Sequence, residues 1–192
     1  MAFFTKTDAR AAARGSTSSW RSHASVLTES MESIKEWDTF DVFLSHSSRD
    51  AELINGVKQL LEQQDLSVYV DWIVDPQLDR NRVTKETANH LRRRMRQCKS
   101  LIYVATTNSG SSLWMPWELG YFDGLRNENV AILPLTDTAD EDFRGLEYLG
   151  LYPFVENSQT YSGRTSVFIR SPGRGVSSLS AFASGRPQWN SL

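Results

Sequence analysis

Around position 118 the chain reads Trp114-Met115-Pro116-Trp117-Glu118-Leu119-Gly120, a single carboxylate set between two tryptophans. Proline suits the first position of a helix, so Pro116 opens a helix over residues 117–126 and puts Glu118 in its first turn. A carboxylate there has two uses. It can cap the helix, bonding back to the unpaired N–H groups and favoured by the helix dipole. Alternatively, the two indoles form a stacking wall for a planar ring beside an anion, which suits a cationic heterocycle. Spacing alone leaves both uses open.

Other residues with chemical capacity fall near the ends of short apolar runs. Ser45 and His46 close the run Phe40-Asp41-Val42-Phe43-Leu44-Ser45 and enter the polar turn Ser47-Ser48-Arg49-Asp50. For His46, a hydrogen bond to the backbone and a contact with ligand are equally open. Arg80 and Arg82 lie in a polar loop and are candidates for holding phosphate. Arg92, Arg93, Arg94 and Arg96 share a helix with one apolar stripe and read as a solvated face. Cys98 falls on that stripe and reads as buried and inert.

Several chemistries are not written in this chain. There is no GxxxxGK[ST], and the turn after the first apolar run has no glycine, so neither a P-loop nor a dinucleotide-binding turn is present. No GxSxG elbow occurs, and Ser45, His46 and Asp50 are too close along one turn to assemble a triad. One cysteine and three histidines in 192 residues leave no disulfide framework and little for a metal site, so no metal is expected. No apolar run reaches the roughly 18–20 residues of a membrane span. The net charge is −2. Residues 37–156 hold 12 basic and 19 acidic side chains, which argues against a nucleic-acid partner.

The elements that must position these groups alternate. Apolar runs at 40–45, 67–72, 100–105 and 130–135, with a shorter one near 151–155, have strand length. Between them come helical patterns at 51–64, 85–98 and 117–126. Leu53, Ile54, Val57, Leu60 and Leu61 make one face of the first, with Asp50 or a preceding serine as its cap, and Thr84 caps the second. Strands separated by helices of this length imply βαβ units, hence a five-stranded, doubly wound parallel sheet of the α/β class. Ligands bind such sheets at the carboxyl ends of the strands, so the loops after Ser45, Trp72 and Ala105 matter most.

The flanks differ in composition. Residues 1–37 form an N-terminal extension, partly helical and packed on or near the core. Phe3, Phe4, Arg10 and Arg14 mimic a transit peptide, but Asp8, Glu29, Glu32 and Glu36 argue against one, and no secretory signal is present. Residues 157–192 form a basic Ser/Gly-rich extension with 4 arginines and no acid. There Tyr161, Val167, Phe168, Ile169 and Trp189 would pack either a hairpin or an irregular cover.

Taken together, the residues of 38–156 resemble a stand-alone TIR domain of the bacterial type. The segment 40–50 is similar to that family's first box. Tyr69-Val70-Asp71-Trp72 and the loop 74–84 are similar to its second strand and BB loop, and 114–119 to the signature carrying its catalytic glutamate. The stretch Glu147-Tyr148-Leu149-Gly150-Leu151-Tyr152-Pro153 is also familiar from stand-alone members. Met115 departs from the cysteine many members carry just before the catalytic stretch.

The resemblance implies a flavodoxin-like fold and, in the enzymatic branch, cleavage of the nicotinamide–ribose bond of NAD in antiphage defence of the Thoeris kind. Glu118 would then be the catalytic carboxylate. Ser45, His46, Trp72, Arg80, Arg82 and Trp114 would bind the substrate. NAD is the substrate and no cofactor is implied. Further expectations are a cytoplasmic location, self-association through TIR surfaces, and a downstream effector reached through a nucleotide product. The alternatives are a non-catalytic TIR adaptor and an enzyme like a nucleoside deoxyribosyltransferase.

Overall fold

The apolar runs become strands because helices cover both of their faces. This is seen in a computed structural model of the chain, which describes residues 2–16, 22–32, 34–71, 84–126, 129–139, 141, 143, 145–159 and 165–191. The elements begin with β1 (Phe4–Thr5), α1 (Lys6–Ser16), α2 (His23–Glu32), β2 (Phe40–Ser45), α3 (Ala51–Glu62) and β3 (Val68–Val70). They continue with α4 (Lys85–Gln97), β4 (Cys98–Ala105), α5 (Met115–Arg126) and β5 (Val130–Thr136). The last are β6 (Phe154–Gln159), β7 (Thr165–Ser171), β8 (Gly175–Ser178) and α6 (Leu179–Ala183). Among the described residues no helix is long and apolar enough to cross a membrane.

The sheet runs β3-β2-β4-β5-β6-β7-β8. Its β3, β2, β4, β5 and β6 pair in parallel and are the five doubly wound strands expected. The sheet then continues. β7 and β8 join antiparallel, so the tail packs as a hairpin, and β1 pairs with β5, giving eight strands. The sixth strand begins at Phe154 rather than 151 because Glu147–Leu151 form a 3-10 turn.

Period-two alternation sends Val42, Leu44, Ile102 and Val104 to one face, with α1, α3 and α6. It sends Phe43, Leu101 and Tyr103 to the other, with α4 and α5. That second face carries the candidate site.

β5 and β6 share one register pair, Ile132 with Phe154. Beyond it β1 enters, Phe4 pairing with Leu135 and Thr5 with Thr136, while Ala2 bridges Asn157. Thr5 then starts α1: its hydroxyl accepts from the Asp8 N–H at 3.1 Å, and the Asp8 carboxylate accepts from the Thr5 N–H at 2.9 Å. Through buried Ala9 and Ala13, α1 lies against α3 at Gly56.

The capping expectations divide. Thr84 accepts from the Thr87 N–H at 3.1 Å, as expected. Asp50 does not cap α3 with its side chain. Its carboxylate instead accepts from Thr106 Oγ1 at 2.6 Å and Asn108 Nδ2 at 2.7 Å, tying the turn after β2 to the turn after β4.

Asp41 anchors the opposite end of the strands, accepting from the Ser67 N–H at 2.9 Å, the Ser67 hydroxyl at 2.7 Å and Lys99 Nζ at 2.8 Å. Burial alone would raise its carboxyl; the bonds from Lys99 and Ser67 outweigh that and hold it below its ordinary 3.8. A depressed folded value contributes stability that is present above 3.8 and lost as pH falls through the folded value. Asp41→Asn is therefore expected to lower the melting temperature at neutral pH, with the gap to the native chain closing as the medium is acidified below pH 4. A gap independent of pH would contradict this.

Candidate active site

The Ser112 hydroxyl accepts from the Met115 N–H at 3.3 Å and starts α5 one turn ahead of the carboxylate. Pro116 sits second in the helix, where a missing N–H costs nothing. The buried positions of α5 are Met115, Glu118, Leu119 and Phe122, the i, i+3, i+4, i+7 stripe of a core-facing helix. Glu118 thus fills a position where the period wants a hydrophobe. It is 2% exposed.

A buried carboxylate needs a donor. Ser45 supplies one from the carboxyl end of β2, its hydroxyl donating to Glu118 Oε2 at 2.5 Å. The serine is itself 1% exposed, so the pair is shielded from bulk water. Ser45 pairs in register with Tyr103 on β4, whose ring lies on the same face. Burial first, then Tyr148 and Glu118, push the Tyr103 hydroxyl well above its ordinary value, so it stays protonated. One residue past β3, Asp71 accepts from the Tyr69 hydroxyl at 3.3 Å. Ser45 and Tyr103 therefore share one face of the strand ends near Glu118, with Asp71 tied to Tyr69 at the end of the neighbouring strand.

Of the other residues expected here, His46 is 2% exposed and its Nδ1 donates to the Leu44 carbonyl at 2.9 Å, which is the backbone bond that had stood beside a ligand contact. Trp72, Arg80 and Arg82 lie outside the described residues.

Trp114 is placed differently from an open stacking wall. It is 5% exposed, part of the core, with its ring edge-on to Trp117 at 5.5 Å. Trp117 in turn stacks on Tyr121 at 5.5 Å, and the Arg92 guanidinium lies 5.2 Å from its ring. The two indoles thus do not lie as an open wall: Trp114 is core, and Trp117 packs against Trp114, Tyr121 and Arg92. The same contact shows that the arginine face of α4 is not wholly solvated. Arg94 also sits over Tyr69, at 5.8 Å.

Cys98 opens β4 rather than closing the helix, and burial pushes its thiol far up, as an inert core cysteine requires. Sequence reasoning missed Tyr103 and Asp71 as members of this cluster. Parity along the strands was the available signal: Tyr103 falls in register with Ser45, and Asp71 lies two residues past Tyr69, the partner of Phe43.

The sequence profile described as "TIR domain" matches residues 42–161. A Bacillus cereus (strain MSX-D12) protein named "Probable 3' cyclic ADP-D-ribose synthase ThsB'" is 53% identical over 131 residues, covering 68% of this chain and 67% of that one. A Cytobacillus dafuensis protein provisionally named as cyclic ADP-D-ribose synthase TIR2 is 32% identical over 110 residues, 57% of this chain and 29% of that one. This chain thus spans about two thirds of the first relative and under a third of the second.

Proposed function

This chain belongs to the TIR domain family, and on that footing we infer that it splits the nicotinamide–ribose bond of NAD and makes an ADP-ribose-derived signal in antiphage defence. Two relatives named as cyclic ADP-D-ribose synthases support this over an adaptor or a deoxyribosyltransferase. The observation that carries it is the buried Glu118 carboxylate fixed by Ser45 at the carboxyl ends of the strands.

Nicotinamide leaves with the electron pair of the C–N bond, and positive charge grows on the ribose carbon and ring oxygen. Glu118 faces that charge as a buried carboxylate, where its field is weakly screened. Ser45 holds the carboxylate in one orientation. The ribose cation is captured either by water, giving ADP-ribose, or by a nucleophile within the same molecule, giving a cyclic product. The relatives' names favour cyclisation.

Residues 38–156 are the catalytic unit in this reading, with 1–37 and 157–192 as its extensions. Self-association, a downstream effector for the nucleotide product and a cytoplasmic setting complete it.

The test is incubation of the purified chain with NAD, at several protein concentrations, and identification of products by mass spectrometry. Release of nicotinamide with a cyclic ADP-ribose is expected; intact NAD at every concentration would overturn the reading. Ser45→Ala is expected to slow nicotinamide release about tenfold, one charge-assisted hydrogen bond's worth. An unchanged rate would remove the serine from the site.

A further inference from the structure

A cyclising enzyme must bring both ends of a dinucleotide to one carbon, so the far nucleoside needs a bay bordering the catalytic carboxylate. The fold has a cavity of about 700 Å³ at the carboxyl ends of β4 and β5, within the size range of small-molecule sites. Tyr103 is shared: it lines this cavity and is in register with Ser45, the residue bonded to Glu118. Leu135, Phe143 and Leu149 supply the remaining apolar wall, enough to receive a planar base.

The polar rim discriminates between parts of a dinucleotide. Asp137 and Glu141 lie on it, with Lys6 from α1 as the cation, and Lys6 is already paired to Asp137 at 2.9 Å. An acid-rich rim repels a pyrophosphate. It accepts hydrogen bonds from ribose hydroxyls and from an exocyclic amino group, which a neutral nucleoside offers.

We propose that this cavity binds the adenosine half of the substrate, folded back toward Glu118, and thereby sets cyclisation over hydrolysis. The inference rests on the NAD-cleaving reading. In the cyclising step a nucleophile of the adenosine half bonds to the ribose carbon and loses its proton to solvent, while nicotinamide departs with the C–N electron pair. With the bay filled, water takes that place and linear ADP-ribose results.

Two substitutions add bulk at the cavity lining. Gly110 lines it, with nothing within 4 Å of where a Cβ would stand. Leu146 also lines it and is 44% exposed. Gly110→Trp and Leu146→Trp are made in the full chain. Calorimetric binding of ADP-ribose and of nicotinamide mononucleotide is measured in the Glu118→Gln background, which spares the probes from turnover.

Both variants are expected to weaken ADP-ribose about tenfold or more and to leave nicotinamide mononucleotide unchanged. With Glu118 intact, they are expected to shift the product from cyclic to linear. The proposal is overturned if ADP-ribose does not bind the unblocked protein, if neither variant weakens it, or if nicotinamide mononucleotide weakens instead. A native chain that binds ADP-ribose through this cavity yet never splits NAD would sink the catalytic reading and leave the cavity its ligand.

Discussion

Glu118→Gln is expected to cut nicotinamide release from NAD by about a thousandfold, roughly 4 kcal/mol at about 1.4 kcal/mol per factor of ten. The substitution changes almost nothing but charge. Glutamine has the same shape and its carbonyl oxygen still accepts from the Ser45 hydroxyl, so the 2.5 Å contact has a counterpart in the variant. What disappears is the anion facing the ribose cation, in a pocket where Glu118 is 2% exposed and its field is little screened. Stability should move the other way. A buried carboxylate in a helix's apolar stripe is a cost to folding, so the variant is expected to melt at the same temperature or higher. Turnover within threefold of the native rate would remove Glu118 from catalysis. A large drop in melting temperature would make it a structural residue instead.

The second large effect lies far from that carboxylate. A Cβ added at Gly56 would stand 1.8 Å from the Ala9 carbonyl oxygen and 2.5 Å from its carbon. Both are backbone atoms, so no side chain can swing away. Gly56→Ala must therefore push α1 off α3 or leave the helices strained, at a cost of about 2–4 kcal/mol. Urea unfolding followed by circular dichroism measures it. Gly120→Ala is the matched control, because Gly120 lies in α5 with nothing within 4 Å of its would-be Cβ. There alanine's better helix propensity is expected to stabilise by up to about 1 kcal/mol. Equal midpoints for the two variants would mean that α1 does not depend on this close approach.

These two positions show what the sequence makes legible. Strands buried on both faces appear as unbroken apolar runs, so β2, β4 and β5 were readable within two residues. Glu118 was readable because proline, tryptophan and carboxylate stand in a distinctive order. Its burial was not read from the sequence, where the capping use stood open; the stripe Met115, Glu118, Leu119, Phe122 emerged with the structure.

Long-range pairings were not legible. Nothing local says that Asp50 would turn from capping α3 to bind Thr106 and Asn108, since the partners lie 56 and 58 residues away. The packing of Trp114 was not legible for the same reason. A tryptophan beside a carboxylate looks like a stacking surface until tertiary packing buries it at 5% exposure. Gly56 gave no signal at all, because its role depends on Ala9 of another helix.

The placement of β1 has a consequence for how the chain acquires its structure. Phe4 and Thr136 meet across a separation of 132 residues, and Ala2 reaches further, to Asn157. A ribosome releases residues 2–5 long before the strands that receive them. During synthesis the seam between β5 and β6 has no occupant on the β5 side until residue 136 has emerged, and the apolar edge of Phe4 waits in water. Closure of so long a loop is entropically slow and favours late, all-at-once locking of the sheet. Nascent chains stalled just short of residue 130 should thus carry helical pairs such as α1 on α3 but remain open to proteolysis at residues 2–5, a vulnerability that full-length release ends.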